Sequence, residues 1–149
     1  MEINDLLTNL TPNANITILN ESFTFAGQIE LTIETGEVLH WLFSEEGHIL
    51  VVAQTNEEFV FFQVIEEEIE PEDNFIFYQS KEYEFNYEGN GQVTQASEGS
   101  GLEIGDHFSF DDYERDNGEI IRLLTNLDTG EIKAYLGRIV VEDDILNLD

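Results

Sequence analysis

Residues 28–54 read QIELTIETGEVLHWLFSEEGHILVVAQ, and this stretch decides the fold. Ile29, Leu31 and Ile33 alternate with Glu30, Thr32 and Glu34, the period of two expected of a half-buried strand. A turn follows at residues 34–37, where Gly36 supplies the positive φ that a tight hairpin needs. The run Val38-Leu39-His40-Trp41-Leu42-Phe43 is almost wholly apolar, as a central strand would be. A second turn, Ser44-Glu45-Glu46-Gly47, leads to a third strand over residues 48–53.

The same reading extends in both directions. Residues 2–10 place Ile3, Leu6, Leu7 and Leu10 on one face of a short helix, ended by Thr11-Pro12-Asn13. Residues 16–19 and 22–25 read as two strands, the second turning at Ala26-Gly27. Residues 59–65, FVFFQVI, form an apolar strand buried on both faces. In the second half, residues 75–78 and 82–87 read as strands, Gly89-Asn90-Gly91 as a turn, and residues 92–96 as a weakly hydrophobic strand. A flexible loop at 97–101 precedes the strand at 107–110, and residues 111–118 read as a polar turn. Residues 120–125 and 131–136 form a hairpin across Asp128-Thr129-Gly130, extended past a bulge or kink at Gly137. Residues 142–146 read as a terminal helical turn. The expectation is an all-β, antiparallel protein of about ten short strands, in two sheets or two small barrel-like halves, with minor terminal helix. Its organisation is an N-terminal segment at 1–14, a first β subdomain at 15–70 and a second at 71–149, packed as one compact unit. The halves have similar strand counts but no repeat period that defines a duplication.

Charge is the extreme property. The chain carries 33 acidic and 5 basic residues, a net −28. Residues 1–80 hold 16 of the acids and no Lys or Arg; the five bases, Lys81, Arg115, Arg122, Lys133 and Arg138, all follow. Direct binding to nucleic acid or to an anionic membrane is disfavoured by this field, and a basic protein surface or a polyamine is the expected partner. Apolar residues at 41%, with 11 Phe and 5 Tyr, suffice for a core. There is no cysteine, hence no disulfide and no thiolate chemistry. Neither a signal peptide nor an apolar run of about 20 residues stands out, so a soluble cytoplasmic protein without membrane insertion is expected.

Two acidic runs are the candidate interaction surface: Glu66, Glu67, Glu68, Glu70, Glu72 and Asp73 around Pro71, and Asp111, Asp112, Glu114 and Asp116. The first also reads as a solvated linker between two sheets. The second alternates acids toward Gly118, but its spacing does not match an EF-hand loop, leaving at most a weak calcium or magnesium site. His40 and His48 flank one hairpin, which with a carboxylate would suit a metal, although a strand histidine beside a turn histidine explains them equally. No nucleophile elbow, phosphate loop or informative carboxylate pair is present, so no catalytic residue and no cofactor is assigned.

Trp41-Leu42, Glu82-Tyr83, Glu98-Gly99, Asp112-Tyr113 and Tyr135-Leu136-Gly137 before Val140 resemble the pattern of a bacterial family catalogued as domain of unknown function 4178, over about residues 15–145. The resemblance implies a soluble, acidic, β-rich module and supplies no catalytic residue. The expected function is therefore a noncatalytic interaction module for a basic protein or polycation. The alternative is a DNA mimic that inhibits a DNA-binding enzyme. At one charge per ~1.7 Å of duplex, 28 charges match about 48 Å of DNA, comparable to the ~38 Å width of a globule this long. Adaptation of the whole surface to high salt would also explain the acidity.

Overall fold

In the computed structural model, residues 2–8, 10–53 and 58–147 are described; within these, the side chains of residues 3–5 and 147 are not. A short helix, α1 (Ile3–Thr8), precedes β1 (Asn15–Ile18), β2 (Glu21–Ile33), β3 (Val38–Ser44), β4 (Ile49–Ala53) and β5 (Glu58–Ile65). After residues 66–74 come β6 (Phe75–Tyr78), β7 (Lys81–Ala96), β8 (His107–Glu114), β9 (Ile120–Asn126), β10 (Ile132–Val140) and β11 (Ile145–Asn147). Of the expected helix at 2–10, Asn9 lies outside the described residues.

The protein is all-β and antiparallel, but not as two sheets or two barrel-like halves. Eight strands close into one barrel, in the order β2-β3-β4-β5-β10-β9-β8-β7. Two long-range ladders effect the closure: β5 with β10, from Phe59↔Val140 to Ile65↔Ala134, and β2 with β7, from Ile29↔Ala96 to Ile33↔Gly91. Closure satisfies the backbone groups that two separate sheets would leave at their edges. Residues 66–73 accordingly connect strands around this barrel rather than linking two sheets.

The two halves of the chain repeat one plan. A four-residue strand turns through two residues at positive φ into a long strand: Leu19-Asn20 in the first half, Gln79-Ser80 in the second. Each long strand then carries a bulge, between Phe25 and Gly27 in β2 and between Phe85 and Tyr87 in β7. Turn and bulge both recur sixty residues later. Before the bulge, β2 and β7 lie outside the barrel; after it, they are staves of it. The first hairpin, with α1 and β11, covers the outer faces of β3, β4 and β5 through Leu6, Ile16, Ile18, Phe23 and Phe25 on Leu42, Leu50, Val52 and Phe61. The second covers β8, β9 and β10 through Ile76 and Tyr83 on Tyr113, Ile121 and Leu123. A third cluster fills the barrel: Ile29, Leu31, Trp41, Val51, Phe62, Phe108, Phe110, Leu124 and Tyr135 among others. Strands covered outside and packed inside are apolar on both faces, which explains the continuous ILVVA of β4.

Glycine accounts for several differences from the sequence reading. Gly89 and Gly91 are not a turn; they lie inside β7, facing the lumen. A Cβ on Gly89 would come within 2.7 Å of the Phe110 ring, and one on Gly91 within 2.9 Å of Leu31. Ala26-Gly27 is a bulge within β2, where a Cβ on Gly27 would lie 2.5 Å from the Ser100 nitrogen. Gly137 pairs on both sides without a register shift; its missing side chain makes room for Phe62, 2.5 Å from where a Cβ would be. Two further boundaries move. β8 continues through Glu114, so only its end is a turn. Residues 142–144 are one 3-10 turn leading into β11, which pairs with β1. The hairpin across residues 127–131 is as expected, with Ile132 opposite Thr125. No helix among the described residues is long and apolar enough to cross a membrane.

Candidate functional site

The acidic run after β5 is a surface segment tied to the barrel at one point. Glu66, Glu67, Glu68, Glu70, Glu72 and Asp73 are all exposed, while Ile69 packs against the Ile65, Tyr83 and Leu123 cluster. One half-buried aliphatic anchor in a run of carboxylates holds those carboxylates over the barrel wall. Beside them runs a groove of about 750 Å³. Its floor is Ile65, Leu123, Ile132 and Ala134, from β5, β9 and β10; its walls are Glu66, Glu67, Glu68 and Glu70, with Glu46 also contributing. Of this floor only Ile132 is open, at 63% exposure, while Ile65, Leu123 and Ala134 are buried. Burial acts to raise the Glu46 carboxyl, but the Thr24 N–H and hydroxyl, at 2.9 and 2.8 Å, donate to it and hold it below the usual range.

Of the five bases, Lys133 lines this groove. Arg115 and Arg138 both donate to Glu119, at 2.8 and 3.0 Å. With a further bond from Asn117 as the largest cause, they hold the Glu119 carboxyl down at about 2 against the opposing effect of burial. Lys133 lies 3.9 Å from Glu131. Arg122 is inside the barrel. Among the described residues, only Lys81 makes no ion pair within 4 Å.

The second acidic run does not form one surface. Asp112 is 5% exposed and points into the lumen. Arg122 grips it with two bonds, Nε to Oδ1 at 2.8 Å and Nη2 to Oδ2 at 2.9 Å. The guanidinium carbon lies 4.6 Å from the Phe62 ring centre and 4.4 Å from that of Phe110. A bidentate pair clamped between two aromatic faces is a structural ion pair, so Asp112 is unavailable to a partner. Asp111 faces Glu88 across the ladder, and Glu114 faces Glu84. Burial, then Glu88 and Asp112, raises the Asp111 carboxyl. Asp116 sits exposed in the β8–β9 turn. These three line no part of the groove beside Glu66, and with Asp112 turned inward they do not converge as a calcium loop would.

The histidines also part company. His40 Nδ1 lies 3.8 Å from Glu30. His48 accepts the Val64 N–H at Nδ1, at 3.2 Å, and its ring meets Phe61 edge-on. Burial keeps His48 neutral by lowering its pKa, against the pull of Glu46 and Glu21. Among the described residues, no group of three or more metal-ligating side chains converges.

Charge runs alone do not single out Arg122 or Tyr135. The usable signal is alternation: Phe108, Phe110 and Asp112 share one face of β8, and Ile120, Arg122 and Leu124 share one face of β9. Inside the lumen, two buried donors, Trp41 Nε1 and Arg122 Nη1, lack a hydrogen-bond partner among the described residues. Aromatic rings surround both. Comparison with protein-family models, with curated proteins and with solved structures gave no match for this chain.

Proposed function

We propose that the protein is a noncatalytic docking module whose acidic groove takes a basic, partly apolar segment of another protein. The observation that carries this reading is the groove itself, four glutamates along an aliphatic floor from which Ile132 stands exposed. Carboxylates steer a cationic chain and fix its register, while its apolar side chains bury the floor. The field of a chain at −28, with most of its few bases already engaged internally, favours the same class of partner and accelerates the encounter. The resemblance to the uncharacterised bacterial family agrees with a binding role and adds no residue to it.

A second reading, mimicry of DNA, draws on other carboxylates, although alternation puts Asp111 and Glu114 on opposite faces of β8. Glu84↔Glu114 and Glu88↔Asp111 place like charges directly opposite each other on β7 and β8, an arrangement that costs stability unless something cationic binds it.

One experiment separates the two. A labelled peptide of alternating Lys and Leu is titrated by anisotropy against the wild type, against E66Q/E67Q/E68Q/E70Q and against E84Q/E88Q/E114Q. Groove docking predicts about a tenfold or greater loss with the first variant only, and weakening at high salt. Equal losses in both variants would reduce binding to bulk charge and end the groove reading. If lysate proteins captured on the tagged wild type are DNA-binding enzymes that duplex DNA displaces, and the β7–β8 variant no longer captures them, the mimic replaces it.

A further inference from the structure

The end of the barrel bounded by the β3–β4 turn and the β7–β8 connection is hollow. A cavity of about 400 Å³ opens there. This volume is that of a small-molecule site open at the barrel mouth. Its inner wall is aromatic and aliphatic: Trp41, Phe43, Phe108 and Leu124. The strands put these side chains there by alternation.

The polar lining of this cup includes Tyr135, His48 and Lys133 together with Ser44, Ser100, Asn126 and Glu131. Tyr135 lines it, is only 5% exposed, and its hydroxyl makes no hydrogen bond with any described residue. Burial, with a smaller contribution from Glu131, pushes that phenol up to about 12, so it keeps its proton. His48 at the rim uses Nδ1 to accept the Val64 N–H, which leaves the N–H on Nε2. Lys133 stands at the mouth, beside Glu131. The Tyr135 hydroxyl therefore has an unused donor at the cavity, and Trp41, which also lines it, has a buried Nε1 without a hydrogen-bond partner among the described residues.

We infer that this cup binds an uncharged, largely aromatic or apolar small molecule whose carbonyl or hydroxyl oxygen accepts a hydrogen bond from Tyr135. The apolar wall sets the body of the ligand and the Tyr135 hydroxyl its polar end. The net −28 of the chain disfavours an anion, and the apolar wall disfavours a bare cation. This site is separate in kind from the peptide groove, although Gly47, Lys133 and Tyr135 line both.

Trp41 is the only tryptophan and forms part of the wall, so the protein carries its own reporter. Prodan, an uncharged naphthalene ketone, and N-phenyl-1-naphthylamine, an uncharged probe with no acceptor oxygen, are titrated against the full chain with excitation of Trp41. The expected result is saturable binding of both with energy transfer from Trp41. Tyr135→Phe weakens prodan by about five- to tenfold, the worth of one hydrogen bond, and leaves N-phenyl-1-naphthylamine within about twofold. Leu124→Phe, which narrows the cup, weakens both probes, with near-ultraviolet circular dichroism confirming the fold. The groove variant E66Q/E67Q/E68Q/E70Q binds both probes as the wild type does, so failure of the peptide titration leaves this result standing. Absence of saturation up to about 100 μM, saturation without energy transfer, or an equal effect of Tyr135→Phe on both probes would overturn the inference.

Discussion

The two halves of the chain build the same object from different materials. Each has a short strand, a two-residue turn at positive φ, a long bulged strand and a three-strand meander. The first half lines its share of the lumen with Ile29, Leu31, Trp41, Val51 and Phe62. The second adds Asp112, Arg122 and Tyr135. The first half contains no Lys or Arg at all; the second contains all five. Backbone plan and interior chemistry are therefore separable: a barrel stave accepts a charge inward when the neighbouring stave brings its counterion in register, as Arg122 opposite Asp112 does. It also follows that most of the few cations are spent holding the second half together, so the surface stays almost purely anionic.

The comparison breaks most visibly at the buried pair. Arg122→Ala leaves the Asp112 carboxylate uncompensated between two rings, and is expected to cost about 3–5 kcal/mol in urea unfolding. The double change D112L/R122M removes both charges and keeps the volume, and is expected to recover most of that loss or to exceed wild-type stability. With it, the second half would line the barrel as the first half does. A cost below about 1 kcal/mol for Arg122→Ala would mean that water reaches the pair, and the contrast between the two interiors would dissolve.

A second contrast sits at matching turns. In the first half, Ser44 N–H donates to the His48 carbonyl and Gly47 N–H to that of Ser44; in the second, Arg115 N–H donates to Glu119 and Gly118 N–H to Arg115. The residue after the turn glycine is thus His48 in one half and Glu119 in the other. Both have pKa values lowered in the folded state, His48 by burial and Glu119, down to about 2, chiefly by the Asn117 bond with Arg115 and Arg138. A depressed folded pKa gives stability that is complete above the unfolded value and is lost as pH falls through the folded one. The Glu119 contribution should therefore be whole above about pH 4.5 and decline toward pH 2. Discounted for solvent around the half-exposed Arg138, it is about 2 kcal/mol. Glu119→Gln should lose that amount at pH 7, and the gap from wild type should close below pH 4.5. Taking the difference between the two pH–stability curves cancels the relief of general repulsion as other carboxylates protonate. A gap that is constant with pH would assign Glu119 a packing role only.

How much of this was legible in the sequence follows from the range of the interactions. Period-two alternation and turn glycines expose the strands of residues 28–53, because both signals are local. Closure was not legible: β2 meets β7, and β5 meets β10, across segments far apart in the chain, and the bulges at residues 26 and 86 shift the register that alternation assumes. Gly89 and Gly91 read as a turn because glycine punctuates turns more often than it makes room for a ring; only the position of Phe110 separates the cases. The acidic wall of the groove was evident in composition at residues 66–70, with Ile65 before it, but the rest of its floor comes from β9 and β10. Asp112 looked like surface beside Asp111 because the net charge draws attention to runs, while alternation from Phe108 and Phe110 already turned it inward.

The smallest effect probes the two hairpin turns themselves. Leu19-Asn20 and Gln79-Ser80 occupy left-handed φ values of 50° and 66°, and of 51° and 64°. Two consecutive residues at positive φ are the signature of the turn that matches strand twist, and glycine is the favoured second residue. An L side chain there crowds its own carbonyl, and asparagine tolerates the region better than serine. Ser80→Gly should therefore stabilise the protein by about 0.5–1 kcal/mol, the released strain exceeding the added freedom of the unfolded chain. Asn20→Gly should gain less, because its strain is already partly relieved. Calorimetric melting of the two variants reads the difference directly. Equal gains would show that the turns are strained alike and that the first hairpin owes nothing to its asparagine. A loss at Ser80 would show that the φ values are imposed by the packing of Ile76 and Tyr83 beneath the turn, where a more flexible residue only adds entropy to the unfolded state.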